Sequence, residues 1–188
     1  MIDGRYLKLF NMSLTDDLDF EGQVEKKEIL IVLKDEAADI SLNDVMQASL
    51  FLIEDAKFVQ AGYREKFIES YIKGFLIRIN ELKSDTTEYI GLVEGEELLE
   101  ALNLLMDQES QIIDKDLFNP QFFKIYKLIS IYTTFVLDEP VHPVGTPFPG
   151  GFEVKRDGQR YSCPVKDKQK DNPGAVCGFC IAEQDEDV

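Results

Sequence analysis

Over most of the first 139 residues the apolar positions recur at steps of three and four, the period of helices that bury one face. A helix is expected from about Val24 to Ala38. Its segment Ile29 to Leu33 is solidly apolar and could be read as a strand, but the length and the flanking Glu, Lys and Ala favour helix. Ser41 followed by Asp44 has the form of an N-cap with its capping-box partner. Behind it Leu42, Val45, Met46, Ser49, Leu52, Ile53 and Ala56 trace one helical face. The same spacing runs from Tyr63 to Leu82 through Phe67, Ile68, Tyr71, Ile72, Phe75, Leu76 and Ile79. Gly74 interrupts that helix at a cost of up to about 1 kcal/mol relative to Ala, unless a neighbour packs closely there.

Ser84 to Gly95 is polar and punctuated by glycine, which predicts a loop. Glu96-Glu97 then place acids at the positive end of a further helix, with Leu98, Leu99, Leu102, Leu105 and Met106 as its apolar face. Asn119-Pro120 is a cap followed by proline at the first helical position, where the missing N–H is no loss. From Gln121 to Leu137 the chain is apolar nearly all round, so this helix is expected to be the most buried. The pattern predicts a mainly α fold for residues 1–139, a helical bundle around a central helix at about 120–138. Ahead of it, the first 22 residues are mixed, with Thr15-Asp16-Asp17 and Gly22 as punctuation.

The pattern changes at Pro140. Residues His142 to Gly151 hold three prolines and three glycines and cannot be helical. Phe152 to Arg156 and Gln159 to Cys163 flank Asp157-Gly158, a strong hairpin signal in which both central residues take positive φ. The mostly acidic tail Glu183 to Val188 is expected to fray. Residues 140–188 therefore read as an extension packed on the helical domain, the two forming one compact unit.

Charge removes several function classes. The chain carries 20 Lys and Arg against 36 Asp and Glu, a net charge of −16. An acidic body repels phosphate backbones and anionic lipid, which argues against nucleic acid and membrane surfaces as partners. No apolar run approaches the roughly 20 residues that span a bilayer, and the opening Met1-Ile2-Asp3-Gly4-Arg5 lacks the layout of a signal peptide. A cytoplasmic location is expected. The odd cysteine count there argues against a disulfide framework.

The chemistry-bearing residues are concentrated at one end. Cys163, Cys177, Cys180 and the sole histidine, His142, fall within 39 residues, spaced His142-x20-Cys163-x13-Cys177-x2-Cys180. Thiolate and imidazole are donors that zinc prefers, and four of them close a tetrahedral site that would staple a segment too small to build its own core. An iron–sulfur cluster on the three cysteines is the alternative, and buried or redox-active thiols without metal a third. Cys177-Gly178-Phe179-Cys180 has the outline of a dithiol motif but lacks the βαβ context of a thioredoxin-like site. One histidine excludes a ferritin-like di-iron bundle, and no Walker loop, HExxH, GxGxxG or GxSxG is present. Glu54, Asp55, Glu65 and Glu69 could form an acid–base pair, although solvated helix faces account for them better. The bases Lys155, Arg156 and Arg160 could grip an anion or RNA, but interleaved acids favour a solvated face.

The string Cys163-Pro164-Val165-Lys166-Asp167-Lys168-Gln169, followed by Asn172-Pro173-Gly174-Ala175-Val176-Cys177-Gly178-Phe179-Cys180-Ile181-Ala182, resembles the ending of an uncharacterised protein family of methanogenic archaea. Tyr63-Arg64-Glu65-Lys66-Phe67 and the loop His142-Pro143 to Gly151 look similar to that family too. As a domain of unknown function, the family supplies no catalytic residue or substrate. The resemblance does imply an anaerobic archaeal cytoplasm in which thiols stay reduced, and this raises the iron–sulfur alternative while leaving zinc ahead. The expected function is a non-enzymatic interaction protein with a structural Cys3His site and an unidentified protein partner. A metal- or iron–sulfur-dependent redox protein or enzyme using the same cluster is the alternative, and anion or RNA binding by the hairpin the weaker one.

Overall fold

The computed structural model describes residues 18–59, 61–112 and 119–188; the Thr15-Asp16-Asp17 signal lies outside the described residues. Its first element is a short strand, β1 (Gln23–Glu25), which leads directly into α1 (Lys26–Ala37). The Ile29–Leu33 run is helical, as its length and flanks require: Ile29, Leu30 and Leu33 are buried while Ile31 faces solvent. Helix α2 (Leu42–Asp55) opens with the expected capping box. The Asp44 N–H donates to Ser41 Oγ at 3.3 Å, and the Ser41 N–H donates to the Asp44 carboxylate at 2.8 Å. The face traced in the sequence is split, however. Val45, Leu52 and Ala56 enter the core together with Ala48, whereas Leu42, Met46 and Ile53 are exposed. Those two groups lie about a quarter-turn apart on the helix, and the core takes only one of them.

Helix α3 (Ala61–Ser84) is the longest element. Gly74 has the close neighbour it needs, because a Cβ there would stand 3.2 Å from Cγ of Pro143 in the Pro/Gly loop. The segment expected to be loop contains β2 (Leu92–Glu94), antiparallel to β1 with Val24 opposite Val93. Three-residue strands carry too little alternation to register as a pattern. Strand β2 feeds α4 (Gly95–Ile112), whose Leu98, Ala101, Leu102 and Leu105 are buried. Asn119 caps α5 (Pro120–Ile131), accepting the Phe122 N–H at 2.8 Å, and a π-helical turn (Tyr132–Val136) continues it. This is the buried central helix. Its polar minority is buried with it: Lys127 donates to Glu109 of α4 at 2.6 Å, and Ser130, Thr133 and Thr134 are enclosed in the same core.

Beyond Asp138, the one non-glycine at positive φ among the described residues, the chain becomes irregular. Strands β3 (Pro147–Phe148) and β4 (Phe152–Glu153) pair across Gly150 and Gly151, both at positive φ. The hairpin follows as β5 (Lys155–Asp157) and β6 (Arg160–Cys163), with its turn one residue later than expected. Asp157 pairs with Arg160, so the two-residue loop is Gly158-Gln159. Only Gly158 takes positive φ, at 60°, as a turn with glycine at its first central position requires.

After β6 come a single helical turn, α6 (Lys166–Gln169), and a 3-10 turn (Val176–Gly178). The acidic tail does not behave as a frayed end. Strand β7 (Glu183–Gln184) lies parallel to β6, and Asp185 is buried, donating its N–H to Cys163 O at 3.0 Å and accepting Lys155 Nζ at 2.8 Å. Backbone pairing and one ion pair outweigh the tail's negative charge.

The extension docks at two places. Its Pro/Gly loop lies on α3, where the Tyr63 hydroxyl donates to Pro147 O and Ser70 lies 3.2 Å from the Thr146 hydroxyl. Its 3-10 turn lies on α4 and α5. Val176 joins the main core, Phe179 stacks on Phe135 at 6.1 Å, and Gln108 donates to Pro173 O at 2.9 Å.

Candidate functional site

The three cysteines converge although they come from different elements. Cys163 ends β6, Cys177 sits in the 3-10 turn, and Cys180 follows it, its N–H donating to Val176 O at 3.1 Å. Lys166 ties the two segments together. Its ammonium donates to the carbonyl oxygens of Cys177 and Cys180, the latter at 2.6 Å. Cys163 also belongs to a small second core with Val154, Tyr161 and Ala182, against which Cys180, Val165 and Phe148 pack. All three thiols are free.

Burial governs their chemistry. It pushes the Cys163 thiol up; backbone hydrogen bonds from Val165 and Lys166 to its sulfur oppose this, and Cys180 adds to it. Cys177 is pushed up to about 11, first by burial and then by the neighbouring Cys180 and Cys163 sulfurs. A thiol that holds its proton at neutral pH is a poor nucleophile and a poor redox partner. The backbone N–H groups on the Cys163 sulfur are the kind of donors that steady a thiolate once a cation has displaced the proton.

His142 is seated elsewhere. Its Nε2 lies 2.9 Å from the Tyr71 hydroxyl, and its ring meets those of Tyr71 and Phe148 edge-on at 5.5 and 5.9 Å. Burial lowers its pKa to about 4, so the imidazole is neutral at pH 7. Phe148 therefore touches both the imidazole and the small core that contains Cys163. Among the described residues no three His, Cys, Asp or Glu side chains are drawn together into a ready metal-holding group. The structure brings the three cysteines to one corner and leaves His142 on the α3 side of Phe148.

Sequence reasoning missed Lys166, Tyr71 and Phe148 as organisers of this corner. Lys166 carried no signal beyond its place three residues after Cys163, whereas Gly74 did announce a close packing partner. Of the hairpin bases, Lys155 is engaged by Asp185, and Arg156 lies over the Tyr161 ring at 5.3 Å. Glu54 and Glu69 are on exposed helix faces, paired with Lys57 and Lys73. A groove of about 580 Å³ opens between α3 and the loop, with Tyr63, Lys66 and Lys73 on one wall and Phe148, Gly151 and Phe152 on the other.

Residues 25–185, spanning the helical body and nearly all of the extension, match the family described as an uncharacterized protein conserved in archaea (DUF2115). The chain belongs to this family. A UPF0305 protein of Methanothermobacter thermautotrophicus is 44% identical over 161 residues, covering 86% of this chain and 97% of the relative. UPF0305 proteins of Methanopyrus kandleri and Methanocaldococcus jannaschii are 35% and 28% identical, covering 71% and 85% of this chain and 92% and 96% of theirs. No solved structure matches the chain. Family membership thus extends over both regions, and no helix among the described residues is long and apolar enough to cross a membrane.

Proposed function

We propose that the protein is a non-enzymatic interaction protein whose C-terminal extension is a docking surface stapled by zinc. Cys163, Cys177 and Cys180 are the sulfur ligands in this reading. His142 is the fourth donor, and it must exchange its Tyr71 bond for the metal. The observation that carries the reading is the convergence of all three thiols of the chain in one corner, clamped by Lys166. The raised thiol pKa values speak against a dithiol redox role, and the α3 groove beside the loop offers concave surface to a partner.

Metal analysis of the full chain purified without oxygen is the test. One equivalent of zinc is expected, lost on Cys177→Ser together with order after residue 140, while the helical body keeps its circular dichroism. Because binding displaces thiol protons, zinc affinity should fall as pH falls. A metal-free wild type with an ordered extension overturns the proposal; a coloured, iron-containing protein replaces it with the iron–sulfur reading. His142→Ala decides the fourth position. Zinc affinity unchanged in that variant removes the histidine from the ligand set.

A further inference from the structure

Helix α2 has two apolar faces, and the fold uses only one. Val45, Ala48 and Leu52 are buried, whereas Leu42, Met46, Leu50 and Ile53 stand 75, 55, 57 and 42% exposed. Steps of four, four and three residues put those side chains on one seam of the helix. Isolated exposed leucines are ordinary on a protein surface. Four large side chains aligned along about 17 Å of helix form a continuous patch of the kind that marks an interface.

We propose that this seam is where two copies of the chain meet, α2 lying antiparallel to α2 of the second copy about a two-fold axis. Charge selects the occupant. The chain carries a net charge of −16, yet the seam is edged by Asn43 and Gln47 on one side and Ser49 on the other. The nearest acid, Glu54, is held by Lys57, and Ser49 turns its hydroxyl back to Val45 O at 2.8 Å. A basic helix would find no row of unpaired carboxylates there, whereas a second copy needs none. Its matching amides also pair with these ones across the axis.

The helix ends select the direction. Antiparallel packing sets Leu42 against the partner's Ile53 and Met46 against the partner's Leu50. It also brings each Glu54 beside the N-terminus of the other helix, where negative charge is favoured. Parallel packing would set the two acidic ends side by side. The seam offers a few hundred Å² per copy, small for a stable pair, so the dimer should be weak, with a dissociation constant on the order of micromolar.

Sedimentation velocity of the full chain over a concentration series tests this, independently of the thiol site. The wild type is expected to pass from monomer to dimer and no further. Association should tighten as salt rises, because salt screens the repulsion between two acidic bodies while the contact itself is apolar. Leu50→Glu and Met46→Glu, at exposed positions, should keep the wild-type circular dichroism and weaken association by about tenfold or more. A photo-cross-linker in place of Gln47 should join α2 to α2. A wild type that stays monomeric at every concentration, polymers growing past the dimer, or variants that associate as well as the wild type would each overturn the proposal. So would association that weakens with salt, or a cross-link to any other segment.

Discussion

The helical body encloses Ile29, Leu33, Ile79, Leu82, Leu98 and Leu128 completely, whereas the extension's own core amounts to Val154, Tyr161, Cys163 and Ala182 with a few half-buried neighbours. Hydrophobic burial scales with apolar area, so the body's stability comes from within. The extension instead relies on particular bonds: Lys166 on two carbonyls, Asp185 on Lys155, the His142–Tyr71 pair, and the Tyr63 hydroxyl on Pro147. It also borrows burial from the body through Val176 and Phe179. A region with a wide core tolerates the loss of single polar contacts. One with a four-residue core does not.

The largest expected effect lies in the body. Leu128→Ala removes a fully buried side chain from the central helix and should cost about 2–5 kcal/mol. Because Val176 belongs to the same core, the extension should melt with the body in a single transition. Denaturant unfolding followed by far-ultraviolet circular dichroism and by thiol accessibility checks this. Thiols that become reactive well before the helices unfold would show that the two regions are separate cooperative units.

A smaller effect separates the regions by pH. The fold holds the His142 imidazole at a pKa of about 4, below the ordinary 6.5, because burial disfavours its charged form. Between those values the unfolded chain binds the proton and the folded chain does not. The stabilisation is therefore complete above pH 6.5 and is lost as pH falls toward 4, by up to about 3 kcal/mol at the shift's full extent. His142→Gln should flatten that part of the stability–pH curve. If wild type and variant lose stability equally over this range, the loop's seat on α3 does not depend on a neutral imidazole.

The same contrast explains what the sequence made legible. Helices announced by period and caps are where they were expected, among them the central one at Pro120–Ile131 and its π turn, because a repeated burial pattern summed over three or four turns is hard to mistake. Elements defined by a few bonds left no such trace. Strands β1 and β2 have three residues each, and β7 has two, set within acids that suggested a loose end. On α2, chemistry alone did not say which of two apolar arcs would be inside. The cysteines' convergence could be anticipated from their rarity, but the position of His142 could not. It depends on the path of a Pro/Gly loop that is fixed by contacts with α3 rather than by local preference.

Gly74 is the most economical place to probe that path, and its effect should be the smallest in stability. Replacing a mid-helix glycine by alanine ordinarily stabilises by up to about 1 kcal/mol, through reduced freedom of the unfolded chain. Here the added methyl would stand 3.2 Å from Cγ of Pro143, so the loop must give way by a few tenths of an ångström. The gain in α3 and the strain at Pro143 oppose each other, and Gly74→Ala should leave the unfolding midpoint of the body nearly unchanged. The displacement is passed on to the adjacent His142. Loosening its contact with Tyr71 admits water, and the imidazole pKa should rise from about 4 toward its ordinary value in an NMR titration. An unmoved histidine pKa combined with the full gain in helix stability would show that the loop yields freely, and the extension would then be joined to the body chiefly through Val176 and Phe179.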